Sequence, residues 1–430
     1  MRNIIVIAYQ LHYSMGSECA VAWDYIKHMS RNNMLTVLYG SSGEHHQIGN
    51  TADMEEYTAE HPMNNVSFIP VQPSVKSKYW DYSLKGIREF YKEYRLWHED
   101  VYRLVEILIK QNKYDIIHFL GPIGYHEPGL LYKLPIPYIW GPIGGMAKPP
   151  IRVTLESGFK NGFLGSVKLI IKSLTSLLRL NTNKRVKQAL SESDVVVCAT
   201  TEYRRFVENA IKKDHHSMLC YLPEICIDKL YDVNYSKFRK DKIELIYIGR
   251  LDEGKAPFII LDALSSIKTG RKEFHLNMLG DGPLLNKARR FVESNGLSEL
   301  VTFCGRQDRS VVFKMLEEAQ MMILPTLYDA NTTVIWEAMS HAVPTMCLDH
   351  CGMHDTVQEG VGVKIPVTSY RGVVNVMRNE LQAIADNPEC LRAMAENLVE
   401  YRKQYTWEQR SLQFEEFYCL AETNFQKYNN

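Results

Sequence analysis

The sequence predicts two α/β domains in tandem, each built on a doubly wound parallel sheet. Three observations support this fold class. The chain has 430 residues, which exceeds one ordinary core and suggests two domains of about 200 residues each. Short apolar runs alternate with helical segments in both halves, as expected for βαβ units. A polar segment, residues 224–241, separates the halves and is the expected linker.

The first half contains six short apolar runs that are predicted strands. They are residues 4–8, 35–39, 66–70, 115–120, 137–140 and 194–199. A helix is expected from about Ser17 to Met29 and a longer helical region over residues 79–111. The N-terminal segment lacks the long apolar region of a secretion signal, so it is interpreted as the first buried strand.

The second half repeats the pattern more regularly. The predicted strands are residues 243–249, 275–279, 301–304, 321–325 and 344–348, and the helices between them are residues 257–267, 284–295, 309–318 and 333–341. We therefore predict domains at residues 1–225 and 226–405, followed by a C-terminal helix in residues 406–430. Two Rossmann-like domains facing each other would form a cleft at the carboxyl ends of their strands, where ligands bind in such sheets.

Charge and cysteine usage narrow the class of function. The 50 basic and 50 acidic residues give a net charge of zero, so nothing global favours nucleic acid as a partner. Nine cysteines are scattered without a CxxC pair, which is typical of a reduced cytoplasmic protein. No run approaches the roughly 20 apolar residues that span a bilayer.

Two basic residues follow the first strand of the second half, in the segment GRLDEGKAP. Arg250 and Lys255 stand in a short loop that leads into a helix. Two cations beside a helix start suit a diphosphate leaving group, whose negative charge grows as its bond to a sugar breaks. The alternative is that Arg250 pairs with Asp252 or Asp281 at the surface.

Two acids, Asp329 and Glu337, lie around the junction between a buried strand and the helix of residues 333–341. Asn331 or Thr332 can cap that helix. Glu337 falls beside the apolar stripe of the helix, where it is either a ligand-binding acid or simply solvated. A helix start after a buried strand is a site for a phosphate.

Glycines mark two further loops. Gly282 in the segment GDGP allows close approach to a ligand or makes an ordinary turn. Gly16 lies before the first helix, where Ser17 is an expected N-cap. A full GxGxxG fingerprint is absent from these segments, which counts against a simple NAD enzyme.

The order of these motifs resembles the family 4 (group 1) glycosyltransferases of the two-domain GT-B fold. The motifs are GRLxxxK, GDGP, CGR, and then an acid, seven residues, a glutamate, AM and VP, over residues 243–366. In the first half, GSECAVAW and IPYIWGPIGG resemble a bacterial subgroup that works on surface polysaccharides. The C-terminal helix resembles the family segment that crosses back to the first domain.

The resemblance implies roles for the residues of the predicted site. Glu337 would hold the ribose hydroxyls of a nucleotide-sugar donor, and Asp329 would contact the donor sugar near its anomeric carbon. Arg250 and Lys255 would stabilise the diphosphate. The other donor-side candidates, with Gly16 and Gly282, are Asn331, Thr332, Thr333, Arg306, Gly352 and Met353.

Two departures from the family pattern lie at the sugar. Asp329 is one methylene shorter than the usual glutamate, and ANTTV replaces the usual GFGLP. The first half also lacks an obvious match for the family histidine near the sugar. Gly144 and Gly145 stand in its place as acceptor-side or sugar-side candidates, and His118 is a neighbouring candidate for which a core position is the alternative.

The sequence favours chemistry without a metal or other cofactor. No DxD triplet occurs in the chain, whereas a metal-dependent transferase usually needs adjacent carboxylates to hold its cation. Two cysteines and two histidines in CLDHCGMHD make a zinc site conceivable, but no second ligand pair lies at the usual spacing.

Residues 165–180 are predicted to form a basic amphipathic helix. Such a helix lies on an anionic membrane or packs on its own domain. Its expected apolar face consists of Val167, Ile170, Ile171, Leu174, Leu177 and Leu178, with Lys168, Lys172 and Arg179 off that face.

These patterns predict a retaining glycosyltransferase that takes a nucleoside-diphosphate sugar and glycosylates a glycan or a lipid-linked glycan. A cytoplasmic location is expected, with peripheral contact to the inner membrane as a possibility. The alternatives are a non-catalytic partner that binds sugar nucleotides and a sugar-nucleotide epimerase of similar build.

Overall fold

The computed structural model describes residues 1–16, 18–43, 47–74, 87–211, 215–239, 241–267 and 273–429. The buried apolar runs of this part form strands, as their β-branched and aromatic content favours. The strands are β1 (Asn3–Ala8), β2 (Met34–Tyr39), β3 (Val66–Pro70), β4 (Ile116–Gly121), β5 (Tyr138–Ile143), β6 (Val195–Cys198), β7 (Met218–Tyr221), β8 (Ile243–Ile248), β9 (Phe274–Leu279), β10 (Val301–Gly305), β11 (Met321–Leu324), β12 (Thr345–Leu348) and β13 (Gly362–Ile365).

Among the described residues, helices connect most successive strands, and three more follow the last strand. They are α1 (Glu18–Met29), α2 (Ala52–Glu60), α3 (Ile87–Gln111), α4 (Ile151–Asn161), α5 (Phe163–Thr182), α6 (Lys184–Glu192), α7 (Thr201–Ala210), α8 (Phe258–Ser265), α9 (Leu285–Ser294), α10 (Arg309–Glu318), α11 (Thr333–Ser340), α12 (Cys351–Thr356), α13 (Tyr370–Asp386), α14 (Glu389–Tyr401) and α15 (Trp407–Asn429).

The strands form two parallel sheets. The first has the order β3-β2-β1-β4-β5-β6-β7 and the second the order β10-β9-β8-β11-β12-β13. In each sheet the chain winds outward from a central strand and then crosses to the other side. The strand order therefore reverses between β1 and β4 in the first sheet and between β8 and β11 in the second, and ligands bind at such reversals.

The chain divides into two compact units, and one boundary differs from the prediction. Residues 1–145, 177–224 and 407–430 form the first unit, and residues 146–176 and 225–406 form the second. The sequence prediction, with domains at residues 1–225 and 226–405, places residues 146–176 in the first domain.

Packing explains that correction. Val153 of α4 belongs to the hydrophobic core of the second unit. Glu156 accepts a hydrogen bond of 2.6 Å from the backbone N–H of Tyr370, and Lys160 pairs with Asp262 at 2.9 Å. These partners are distant in sequence, so local composition could not reveal them.

The last helix, α15, packs within the first unit. Arg2 forms ion pairs with Glu415 at 2.5 Å and with Glu422 at 2.7 Å. The hydroxyl groups of Tyr25 and Tyr418 are hydrogen bonded to each other in the core. Residues near the N-terminus thus hold the C-terminal helix α15 in place.

Several structural elements were not predicted from the sequence. The sequence predictions do not include helices α2, α4, α6, α7, α12, α13 and α14 or strands β7 and β13. Of the predicted helical region at residues 79–111, residues 87–111 form α3, and the earlier part lies outside the described residues. The predicted N-cap Ser17 also lies outside them.

Candidate functional site

The donor-side candidates of the second unit lie in loops at one edge of its sheet. Residues 249–257 follow β8, residues 280–284 follow β9, and residues 325–332 follow β11. Because the strands are parallel, all of these loops leave the carboxyl edge. The loops after β8 and β11 meet where the strand order reverses, which is the position expected for a ligand.

An ion pair joins these two loops. Lys255 Nζ contacts Asp329 Oδ2, and Thr326 Oγ1 lies 3.2 Å from the same carboxylate oxygen. The backbone N–H of Lys255 donates to Asp252 Oδ1 at 3.0 Å. Both charged side chains of the pair are only 21–25 % exposed, so solvent screens them less than a surface pair.

Arg250 forms the surface pair that was its alternative role. Its Nε lies 3.4 Å from Asp252 Oδ2, and the side chain is 69 % exposed. A pair this exposed contributes little to stability, so the guanidinium can turn toward an anion at small cost. Together with Lys168, Lys172 and Lys255, Arg250 lines a cavity of about 390 Å³ within the second unit.

Gly282 allows the loop after β9 to pack directly on the loop after β8. A Cβ built on Gly282 would lie 2.4 Å from the backbone oxygen of Leu251, and the N–H of Leu251 donates to the oxygen of Asp281 at 3.0 Å. The glycine therefore has a packing role here. Contact between Gly282 and a donor stays a prediction.

The loop before α11 is held by the loop after β12. The backbone N–H of Gly352 donates to the oxygen of Ala330 at 2.9 Å, and a Cβ on Gly352 would lie 2.0 Å from that oxygen. Asn331 and Thr332 are buried and Thr333 is exposed at the helix start.

The predicted capping of α11 takes a different form. Thr332 is the N-cap residue, but its side chain makes no cap hydrogen bond. The side chain of Met353 is buried in α12, and the predicted contact of this residue with a donor stays a prediction. Only the backbone of that residue is available to a ligand.

Glu337 is paired as well as shielded. Its Oε1 accepts from Arg309 Nε at 3.1 Å, and the glutamate is 12 % exposed, whereas the arginine is 70 % exposed. Burial raises the pKa of Glu337, and the charge of Arg309 opposes that rise. Because Arg309 is largely exposed, its pair with Glu337 can be exchanged for a contact with a ligand hydroxyl at small cost. Arg306 is exposed directly after β10.

The corresponding reversal in the first unit contains glycines and one carboxylate. Gly16 is exposed, and a Cβ added to it would meet no atom within 4 Å. Glu18 Oε2 accepts from the N–H of Ile123 at 3.2 Å, and the oxygen of Ile123 accepts from the N–H of Gly144 at 2.6 Å. Gly145 follows in the left-handed region, with φ of 82°.

His118 does not take part in that surface. It is fully buried, with Nε2 2.7 Å from the oxygen of Gly141 and Nδ1 3.1 Å from the hydroxyl groups of Tyr25 and Tyr418. Burial lowers the pKa of His118 to about 4. A neutral ring with both nitrogens engaged belongs to the core, so the acceptor-side assignment was wrong.

Three residues whose hydrogen bonds hold the loops after the strands were not identified from the sequence. His12 Nδ1 accepts from the N–H groups of Ser14 and Met15 at 3.0 and 3.1 Å, which fixes its proton on Nε2. His350 Nε2 donates to the oxygen of Thr326 at 2.9 Å. His12, Thr326 and His350 all follow strand ends, which is the signal that could have identified them.

The cysteine and histidine segment after β12 does not gather around one point. Cys347 is buried in β12, and His354 pairs with Asp349 at 2.7 Å. Among the described residues, no group of three or more His, Cys, Asp or Glu is placed to hold a metal ion. All nine cysteines are free thiols.

The two parallel-sheet α/β units confirm the predicted GT-B fold class. Sucrose-phosphate synthase from Thermosynechococcus elongatus superposes with a TM-score of 0.63 at 16 % identity, over 97 % of this chain and 98 % of that one. At this identity the likeness shows the fold alone.

Sequence comparison relates the second half of the chain to a known family. Residues 230–398 match the model of the family described as Glycosyl transferases group 1. This range includes the predicted resemblance at residues 243–366, so the resemblance of that half to this family is confirmed.

Two curated relatives are glycosyltransferases. The protein called uncharacterized glycosyltransferase MJ1178 of Methanocaldococcus jannaschii is 22 % identical over 72 % of this chain and 76 % of its own length. The amylovoran biosynthesis glycosyltransferase AmsK of Erwinia amylovora is 22 % identical over 39 % of this chain and 43 % of its own length.

Proposed function

We propose that the chain is a metal-independent, retaining glycosyltransferase that transfers a hexose-like sugar from a nucleoside diphosphate. The observation that carries this proposal is the ion pair between Lys255 and Asp329 at the strand-order reversal of the second unit. A cation for the leaving group and an acid for the sugar meet there in one place.

The diphosphate would bind beside the loop after β8. Arg250 forms only an exposed ion pair with Asp252, and Lys255 lines the same cavity as Arg250. When the bond between the anomeric carbon and the phosphate oxygen breaks, its electron pair goes to the diphosphate. Arg250, Lys255 and the amides at the start of α11 stabilise that charge without a metal ion.

Asp329 would orient the donor sugar and screen the positive charge of its oxocarbenium-like state. The acceptor hydroxyl attacks the same face, its oxygen bonds to the anomeric carbon, and its proton passes to the departing phosphate. The short aspartate is supported in this role because Thr326 and Lys255 hold its carboxylate in place. Charge-assisted contacts of this kind fix a catalytic group.

Glu337 would hold the ribose hydroxyls, with Arg309 exchanging away when nucleotide binds. The backbone of Asn331 to Thr333 and of Gly352 would border the sugar and diphosphate, and Arg306 the base. Gly16, Gly144 and Gly145 would border the sugar or acceptor from the first unit.

The acceptor would be a glycan or lipid-linked glycan of a cell-surface polysaccharide. The name of AmsK places that relative in amylovoran biosynthesis, which supports this substrate class. A location in the cytoplasm or at the inner face of the cytoplasmic membrane follows from that proposal.

Thermal stability with UDP-, GDP- and ADP-sugars would test donor binding, because a ligand that binds only the folded state raises Tm. We expect one base to raise Tm and to support donor hydrolysis or transfer. The Lys255→Ala and Glu337→Ala variants should lose turnover by about 10²-fold or more. Lys403→Ala and Glu396→Ala, which remove members of exposed pairs in the same unit, should keep it.

The outcomes separate the alternatives. Donor binding without turnover in the wild-type chain would favour a non-catalytic binding partner. Donor isomerisation without an acceptor would favour an epimerase. A failure of every donor to change Tm would reject all three.

A further inference from the structure

One face of helix α5 borders the cavity of about 390 Å³ beside the loop after β8. The residues of the helix that line this cavity are Gly165, Lys168, Leu169 and Lys172. Their spacing of i, i+3, i+4 and i+7 places them on one side of a helix. The two lysines therefore lie on the face of α5 that borders the cavity, and both are exposed.

Contacts on both sides of the two lysines hold this part of α5 on the second unit. A Cβ built on Gly165 would lie 2.4 Å from the carboxyl carbon of Glu253, so the start of the helix lies directly against the loop after β8. Further along the helix, Ser173 is buried, and its Oγ donates to the oxygen of Ala147 at 2.8 Å. The residues between these two contacts include both lysines, so their backbone positions beside the cavity are fixed.

The basic amphipathic helix predicted at residues 165–180 lies within α5. Its predicted apolar face is half-buried at Val167 and Ile170 and exposed at Ile171, Leu174 and Leu178. The alternative of a helix that packs its whole apolar face on its own domain is therefore wrong for the exposed part. Among the described helices, none is long and apolar enough to cross a membrane, and peripheral contact with a membrane stays a prediction.

The cations of this cavity differ in whether a carboxylate already balances them. Arg250 and Lys255 each form an ion pair with an aspartate. Within the described part of the chain, no carboxylate pairs with Lys168 or Lys172. The lining as a whole contains four basic residues and two acidic ones, so its net charge is positive. The two lysines of α5 are therefore the cations of the cavity that can meet an anion without first leaving an ion pair.

Lys172 also lies beside the loop that carries Asp329. Its Nζ is 5.4 Å from the centroid of the Tyr328 ring, and a cation over an aromatic ring is attracted to it. Tyr328 is half-buried and directly precedes Asp329 in the sequence. The ring thus holds Lys172 close to the acid that would orient the donor sugar, and Lys168 follows one turn away on the same face.

We propose that Lys168 and Lys172 bind the diphosphate of the sugar-nucleotide donor. The inference rests on the proposed function, and it adds two phosphate-binding residues from the first half of the sequence to Arg250 and Lys255. A lysine ammonium group binds phosphate as a compact point charge. The diphosphate adjoins the donor sugar, and Lys172 lies beside the loop of the sugar-side acid, so both lysines are placed where the diphosphate would lie.

Calorimetric titration tests the inference without relying on sugar transfer. The ligands are the nucleoside diphosphate and the unphosphorylated nucleoside of the base found by the Tm screen. The Lys168→Gln and Lys172→Gln double variant should bind the nucleoside diphosphate at least about tenfold more weakly than the wild-type chain. Its affinity for the nucleoside should be unchanged, because only the contacts to phosphate are removed. Glutamine has a helix propensity similar to that of lysine, so the variant should keep the wild-type Tm.

Two exposed lysines elsewhere in the second unit provide the matched control. The Lys242→Gln and Lys314→Gln double variant removes the same charge at exposed positions outside the cavity lining, and it should bind the nucleoside diphosphate as the wild-type chain does. Equal losses in the two double variants, or no loss in the α5 variant, would overturn the inference and leave the proposed function in place. If the wild-type chain binds no nucleoside diphosphate, the proposed function itself is wrong. Binding of farnesyl diphosphate that only the α5 variant loses, with its nucleoside diphosphate affinity unchanged, would assign the lysines to a lipid-linked acceptor instead.

Discussion

The two strand-order reversals have the same topology but different chemistry. At the reversal of the second unit, Lys255 and Asp329 form a shielded ion pair, and Arg250 stands beside it. At the reversal of the first unit, Glu18 accepts a hydrogen bond from the backbone of Ile123, and a Cβ on Gly16 would meet no atom within 4 Å. The parallel sheets supply the same edge in both cases, so the side chains alone set the difference.

Under the proposed function, this difference corresponds to a division of work between the units. Cations that are already oriented suit a ligand with a diphosphate, whose charge must be met at fixed positions. Glycines and a partly buried carboxylate suit neutral hydroxyl-bearing ligands, which need close backbone approach and no net charge. The comparison can be tested at each reversal separately.

The largest effect is expected from removing the acid of the ion pair. The Asp329→Asn variant keeps the shape of the side chain but leaves Lys255 without a counter-charge. We expect kcat with the donor found by the binding screen to fall by about 10²–10³-fold, a typical loss for one preorganised electrostatic group. Single-turnover kinetics would measure the chemical step.

The conservative Asp329→Glu variant provides the control, because it keeps the charge and has the length of the usual family acid. It should retain activity within about tenfold of wild type. If the asparagine variant is as active as the glutamate variant, the charge of residue 329 has no catalytic role.

The sequence predicted the candidate site of the second unit better than that of the first for a physical reason. Its strands and helices are strongly periodic, and motifs such as GRLxxxK are local in sequence. From the sequence, Lys255 and Asp329 could be predicted only to share a site. Their direct contact could not be predicted, because it joins two separate loops. The burial of His118 depends on Tyr418 near the end of the chain, so local patterns could not reveal it.

Glycines illustrate the same limit. The motif around Gly352 predicts contact with a ligand, and the structure shows that the glycine also lets two loops pack. Gly16 has the same sequence signal, but a Cβ built on it would meet no atom within 4 Å. Close approach of backbone to backbone and close approach of backbone to ligand both require glycine, and only the three-dimensional surroundings distinguish them.

Alanine at these two glycines should therefore have unequal effects on stability. In Gly352→Ala, the new Cβ would lie 2.0 Å from the oxygen of Ala330, so the loops must separate. We expect a loss of about 1–3 kcal/mol in the free energy of unfolding, measured by urea denaturation. Gly16→Ala should change it by less than about 0.5 kcal/mol, and equal losses would contradict the packing role of Gly352.

The smallest effect concerns the carboxylate of the first unit and depends on pH. Burial raises the pKa of Glu18 to about 7, the charge of Glu224 adds to the rise, and the hydrogen bond from Ile123 opposes it. Because the folded pKa exceeds the unfolded value of 4.5, the native state binds more protons between these two pH values. The free energy of unfolding should therefore fall as pH rises through this range.

The Glu18→Gln variant removes the ionisation while keeping an oxygen that can accept from Ile123. At pH 8 it should be more stable than wild type by about 1–2 kcal/mol, whereas at pH 4 the two should be nearly equal. Urea denaturation across this pH range would measure the difference, with Glu60→Gln at an exposed position of α2 as the control. If the stability difference between Glu18→Gln and wild type does not change with pH, Glu18 is not the titrating group. The first unit would then have no carboxylate of raised pKa at its strand-order reversal to distinguish it from the second.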